Sequence, residues 1–210
     1  TVTLTASNGV ITLSGTTQLT FTAGDGTADG TMTFSGTTSR INTALDGLVF
    51  TPTANFNGSA SIQIQTVGGS TSDTDTINIT VNAVNDAPTA SNNTVTTNED
   101  TDYTFTAANF NFSDVDAGAA LSKVQITTLE TVGALKLDGV DVTLNQEISK
   151  ADIDAGKLKF TPVANANGSA YDSFAFKVHD GTVYSASAYT MTVDVTAVND
   201  APVNTVPGAQ

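Results

Sequence analysis

Residues 81–88 read VNAVNDAP and residues 195–202 read VTAVNDAP; upstream of them, FTPTANFNGS at 50–59 returns as FTPVANANGS at 160–169. Self-similarity at a fixed period is the mark of a repeat architecture. The interval from Pro88 to Pro202 is the size of one β-sandwich. Proline cannot donate to a strand ladder and Asn-Asp-Ala favours a turn, so each AVNDAP ends the last strand of its unit. The boundaries follow: a unit over 1–88, a second over 89–202, and a remnant, 203–210 (VNTVPGAQ), that reads as a linker or the opening strand of another repeat.

The two units differ at their fronts. The second carries a long front section, 89–120, before its first hairpin, whereas the first opens directly on the alternating run Thr1-Val2-Thr3-Leu4-Thr5. The reading is that the first unit lacks its first strands. Its sheet then has an unpaired edge, which residues 203–210 of a neighbouring molecule could occupy by strand addition.

Composition agrees with strands. The 210 residues include no Cys and no Trp, 39% are hydrophobic and only 13% charged, and Thr fills much of the remainder. β-Branched Thr suits a pleated, half-wet surface. Period-2 alternation predicts strands at 1–6, 10–14, 18–22, 31–35, 47–51, 60–66 and 75–82. In the second unit it predicts them at 92–97, 103–109, 121–129, 133–137, 140–144, 157–161, 173–179 and 188–196. Single helical turns are expected at 39–45 and 149–154, the latter capped by Ser149 with Asp152 at its third position. The fold class is therefore all-β, two tandem Greek-key β-sandwiches with the first truncated at its N-terminus.

Charge narrows the function. Twenty-one acids against 7 Lys and Arg give a net charge of −14. Such a surface repels phosphates, so nucleic acid is not a partner, and no apolar run is long enough for membrane insertion. The absence of Cys removes thiol chemistry and Cys-bound zinc, and a single His, His179, removes multi-His metal sites. Hard oxygen ligands remain. Asp and Asn gather in turns: Asn85 and Asp86 in the first linker, Glu99 and Asp100 in NEDT, Asp114 and Asp116 in SDVDAG, Asp172 before a strand, Asp180 in HDG, and Asn199 and Asp200 in the second linker. Strands running alternately up and down bring Asp114, Asp116 and Asp180 to the end of unit two where Asn85 and Asp86 enter. Glu99, Asp172, Asn199 and Asp200 fall at the other end. Like charges so dense favour a neutralising cation, and calcium takes six to eight such oxygens.

The series NEDT, SDVDAG, FTP-AN-NGS, HDG and AVNDAP over 98–202 resembles the cadherin-like (Ig-like) tandem repeats of giant bacterial surface proteins, the RTX-type and biofilm-associated adhesins. The resemblance implies Ig-like sandwiches stacked as an extracellular stalk at the cell surface, non-enzymatic and serving cell adhesion or biofilm formation. It implies calcium at inter-domain joints, held by Asn85, Asp86, Asp114, Asp116 and Asp180 at one joint and by Glu99, Asp100, Asp172, Asn199 and Asp200 at the other. Neighbouring repeats of the same polypeptide are the implied partners. The chain departs from the animal linker pattern in having Ala83 and Ala197 where Asp would begin it, and Thr66 stands in the first unit where Asp180 stands in the second.

The alternative is a carbohydrate-binding or homophilic module, with polysaccharide or another adhesin copy as partner. Its hallmark would be solvent-facing aromatics on one sheet, and Tyr103, Tyr171, Tyr184 and Tyr189 are the candidates. Asp25 and Asp29 in GDGTADG read as turn residues, Asn167-Gly168-Ser169 as a structural turn, and His179 as a surface residue at a strand end.

Overall fold

The computed structural model describes residues 1–201. The chain divides into two compact units, Thr1–Val84 and the remainder from Asn85. The segment 203–210 lies outside the described residues.

The first unit contains β1 (Val2–Ser7), β2 (Gly9–Thr12), β3 (Thr20–Ala23), β4 (Thr31–Ser35), α1 (Thr38–Leu45), β5 (Val49–Pro52), β6 (Gly58–Gly68) and β7 (Thr71–Val81). One sheet runs β3-β4-β1-β6-β7, and β2 pairs with β5 in a second, smaller one. Alternation decides the faces: Val2 and Leu4 of β1, Met32 and Phe34 of β4 and Ile62 of β6 point inward and meet Ile11 and Leu13 from the facing layer. β7 ends its sheet, and nearly all of it is exposed.

The second unit contains β8 (Asn93–Asn98), β9 (Tyr103–Thr104), a 3-10 turn (Ala107–Phe110), β10 (Lys123–Thr128), β11 (Ala134–Leu137), β12 (Val140–Asp141), β13 (Glu147–Ser149), α2 (Lys150–Asp154), β14 (Leu158–Thr161), β15 (Gly168–His179) and β16 (Tyr189–Thr196). Its sheets are β13-β10-β15-β16-β8 and β12-β11-β14-β9. Every pairing is antiparallel except β16 with β8, which run parallel from Met191 opposite Asn93 to Thr196 opposite Asn98. Five fully buried phenylalanines fill the space between the sheets. Phe105 meets Phe174 edge-to-face at 5.5 Å, and Phe110 meets Phe176 at 4.9 Å, the geometry that aromatic quadrupoles favour.

The repeat is legible in three dimensions. Gly133 sits at φ +71°, and a Cβ there would lie 2.8 Å from the Phe160 ring; Gly9 would meet the Phe50 ring at 2.5 Å. Each FTP phenylalanine thus packs on a glycine in or just before the neighbouring strand of its own sheet. The helices fall at equivalent places before the two FTP strands. Ser149 caps α2 as its sequence indicates, accepting from the Asp152 N–H at 3.0 Å while its hydroxyl donates to Asp152 Oδ2 at 2.6 Å.

Two expected strands need correction, and one strand is added. The strand expected over 103–109 is only two residues long and gives way to the 3-10 turn, because Asn109 Oδ1 accepts the Thr106 N–H at 2.7 Å and closes the chain on itself. The strand expected over 140–144 ends at Asp141. An additional strand, β13, pairs with β10; its three residues are too few for alternation to register.

Candidate metal centre

The loop between the 3-10 turn and β10 carries Asp114 and Asp116, and the turn after β15 carries Asp180. Both stand at the end of the unit where residues 85–88 enter, and hydrogen bonds tie the five candidate residues together. Asn85 Nδ2 donates to Asp180 Oδ2 at 2.9 Å and to the Asp86 carbonyl at 2.7 Å. The Asp86 N–H donates to Asp116 Oδ2 at 2.8 Å, and the Asp116 N–H to Asp114 Oδ1 at 2.9 Å. Asp114 Oδ2 is buried and has no hydrogen-bond partner. A buried acceptor left unsatisfied is costly, so this oxygen is the point in the cluster that wants a positive ligand.

Asp180 Oδ1 accepts the N–H groups of Thr182 at 2.6 Å and Val183 at 2.7 Å. Burial pushes its pKa up, but the Val183 N–H, the Asn85 amide and the Thr182 N–H outweigh that and hold it below the usual carboxylate value. The adjacent His179 is buried rather than at the surface: its ring packs edge-to-face on Tyr184 at 4.4 Å, and Nδ1 accepts the Gly181 N–H at 2.8 Å.

The other end of the unit is organised differently. Glu99 is only 6% exposed. Its Oε2 accepts from Asn167 Nδ2 at 2.9 Å and its Oε1 from the Val198 N–H at 2.6 Å. The Asn167 amide, then the Val198 N–H, lower its pKa against the opposing effect of burial. Asp100 Oδ1 accepts the Asn165 N–H at 3.0 Å. Asn199 turns its amide onto the Asp200 carbonyl at 3.2 Å, repeating the Asn85–Asp86 arrangement of the first linker. Asp172, 5% exposed, is engaged elsewhere. Its carboxylate accepts from the Thr131 N–H and hydroxyl, the Val132 N–H at 2.8 Å and the Ser173 N–H at 2.8 Å. Donors already surround it, so it caps the 131–132 turn and shares no hydrogen bond with Glu99, Asn199 or Asp200.

Among the described residues, no three Asp, Glu, His or Cys side chains lie close enough together to hold an ion by themselves. An ion at the Asp114 end would therefore need backbone carbonyls, the Asn85 amide oxygen or water to complete its shell, as calcium commonly does. The donor set is all oxygen and suits that ion.

Residues that sequence reading did not single out also take part. Asn167, read as a turn residue, holds Glu99. Glu130 Oε1 accepts the Leu135 N–H at 2.9 Å, while its Oε2 is buried without a partner; an isolated Glu in no motif carries no signal of this. Each tyrosine packs against a ring of its own: Tyr103 on Phe105, Tyr171 on Phe160, Tyr184 on His179 and Tyr189 on Phe176.

A family model described as bacterial Ig domain matches residues 85–196, more than half of the chain. The chain belongs to the bacterial Ig domain family. Domains of this family are usually found on extracellular surface proteins and are typically non-enzymatic. Among the described residues, no helix is long and apolar enough to cross a membrane.

No curated protein matches this bacterial Ig domain chain. Solved structures similar to it include an endo-fucoidan hydrolase of glycoside hydrolase family 107, with 20% identity over 94% of this chain and 24% of that one and a TM-score of 0.31. Surface layer protein SbsC is similar in its domains 4 and 5, with 14% identity over 90% of this chain and 71% of that one and a TM-score of 0.26. The chain spans about a quarter of the length of the hydrolase.

Proposed function

We propose that this bacterial Ig domain chain is a structural stalk segment of an extracellular bacterial surface protein, supporting cell adhesion or biofilm formation. In this reading calcium fastens the AVNDAP entry segment to the body of the second unit. Its partners are neighbouring repeats of the same polypeptide. The observation that carries the reading is the buried, unpartnered Asp114 Oδ2, in a hydrogen-bonded chain that runs from Asp114 through Asp116 to the entering Asn85–Asp86 pair and on to Asp180.

Asp114, Asp116 and Asp180 would supply carboxylate oxygens, and Asn85 and Asp86 would supply amide, carboxylate or backbone oxygens. The charge of the ion would offset the mutual repulsion of the acids and hold the entry segment in one direction, which limits bending there in a tandem array. Extracellular calcium modules bind with dissociation constants of about 10⁻⁴ to 10⁻³ M. At tenfold saturation one such site adds about 1.4 kcal/mol.

Thermal unfolding in chelator and in millimolar calcium tests this. The expected result is a rise of about 5 °C in the Tm of the second unit with calcium, absent in Asp114→Ala and absent with magnesium. Superimposable curves in chelator and calcium would reduce these acids to turn residues and the segment to a passive spacer.

A further inference from the structure

The β6–β7 and β15–β16 hairpins are equivalent, each running into AVNDAP. Counted back from that motif, Ile77 corresponds to Met191, Ile79 to Val193 and Val81 to Val195. The partners agree: Ile62 lies opposite Ile77 as Phe174 lies opposite Met191. Ile64 accordingly corresponds to Phe176, and α1 to α2.

In the second unit one front segment covers this hairpin. β8 lies parallel on the outer edge of β16, the chain crosses so that β9 pairs with β14, and the 3-10 turn packs beside α2 with Phe110 against Phe176. The Asn93 amide donates to the Asn109 carbonyl at 2.9 Å and ties strand to turn. In the first unit, among the described residues, no strand lies on the outer edge of β7, and β5 pairs with β2 alone. Ile77 is 53% exposed where Met191 is 0% exposed. Beside α1 is a hollow of about 550 Å³ lined by Ile41, Leu45, Ile64 and Asp73. Its walls, the helix and Ile64, are the counterparts of those that hold Phe110.

We propose that the outer edge of β7 and the hollow beside α1 form an acceptor for a front segment of this repeat type. The occupant is an extended, uncharged Thr- and Val-rich strand lying parallel to β7, followed by a turn whose aromatic side chain enters the hollow. Its template is residues 89–112. Asp73 and Asp75 on β7 favour a strand with no acid of its own, and Asn93–Asn98 has none, the acids of the template, Glu99, Asp100 and Asp102, falling after the strand. A second folded copy of the chain is not the occupant, because its own β8 is already paired with β16. The inference goes beyond the calcium reading and does not depend on it.

The test adds a synthetic peptide of residues 89–112 to the full chain and follows amide hydrogen exchange. The expected result is saturable protection of residues 71–81 and of the α1 segment. A peptide carrying Phe110→Ala should bind about tenfold or more weakly, because the aromatic ring fills the hollow. Ile77→Asp, a change at an exposed position of the full chain, should also weaken binding. Protection confined to 189–196 would mean strand exchange within the second unit and would overturn the proposal. So would equal binding of the Phe110→Ala peptide, no protection at 71–81, or concentration-dependent dimers of the chain alone that protect the same edge.

Discussion

At the residue scale, two carboxylates of similar appearance in the sequence do opposite things. Asp172 is satisfied by four donors from residues 131, 132 and 173 and is part of the folded interior. Asp114 offers a buried oxygen to nothing in the chain. Replacing Asp172 with Ala strands buried donors, at a cost of about 3 kcal/mol. Denaturant unfolding measures it, and the loss should be the same in calcium and in chelator. Asp114→Ala should cost more in calcium than in chelator, where only the Asp116 N–H bond to its Oδ1 is lost. A calcium-dependent effect at Asp172 would contradict its assignment as a turn cap. Strand alternation alone places loops at one end of the unit or the other, and hydrogen bonds link Asp114, Asp116 and Asp180 to Asn85 and Asp86 at one of these ends. The separation of Asp172 from Glu99 was not legible, since its partners are backbone N–H groups of a loop that carries no motif.

At the element scale, α2 is set by local chemistry and the 3-10 turn by a local override of alternation, whereas α1 has no side-chain cap. Ser149 satisfies the first turn of α2, and Asp152 adds a favourable charge there. The Lys157 ammonium, then the Ser149 hydroxyl, hold the Asp152 carboxyl below its usual value. Ser149→Ala should destabilise the second unit by about 1 kcal/mol, read as a lower urea midpoint with an unchanged slope; no shift would mean that tertiary packing alone holds this turn. The segment 103–109 alternates like a strand, yet Thr106 and Asn109 close a turn within it. That turn sends Phe110 into the core, where it is 0% exposed. A hydrogen bond made three residues ahead is invisible to a period-2 count.

At the scale of the whole molecule, acidity sets the response to pH. Hydrogen bonds hold Asp180, Glu99, Glu147 and Asp152 below their usual values. A carboxyl with a lowered folded pKa adds stability that is full above its unfolded pKa and is lost as pH falls through the folded value. Relief of self-repulsion between so many acids works the other way only down to the isoelectric point near 4.1. The urea midpoint should therefore decline from about pH 4.5 downward and fall steeply by about pH 3. A midpoint at pH 3 equal to that at pH 6 would show that these hydrogen bonds do not discriminate charged from neutral carboxyls in the folded state.

The sequence by itself determined the all-β class, the repeat, most strand positions and the gathering of Asn85, Asp86, Asp114, Asp116 and Asp180. Each follows from a period, a turn residue or the alternation of loops, all of which are written in neighbouring letters. Only the tertiary structure decided which carboxylate oxygens are satisfied, that His179 is buried, and that the β7 edge and the hollow beside α1 match surfaces covered elsewhere in the same chain. Those properties depend on which side chains and backbone groups meet across long sequence separations. Burial and hydrogen-bond satisfaction are set there, and no local pattern records them.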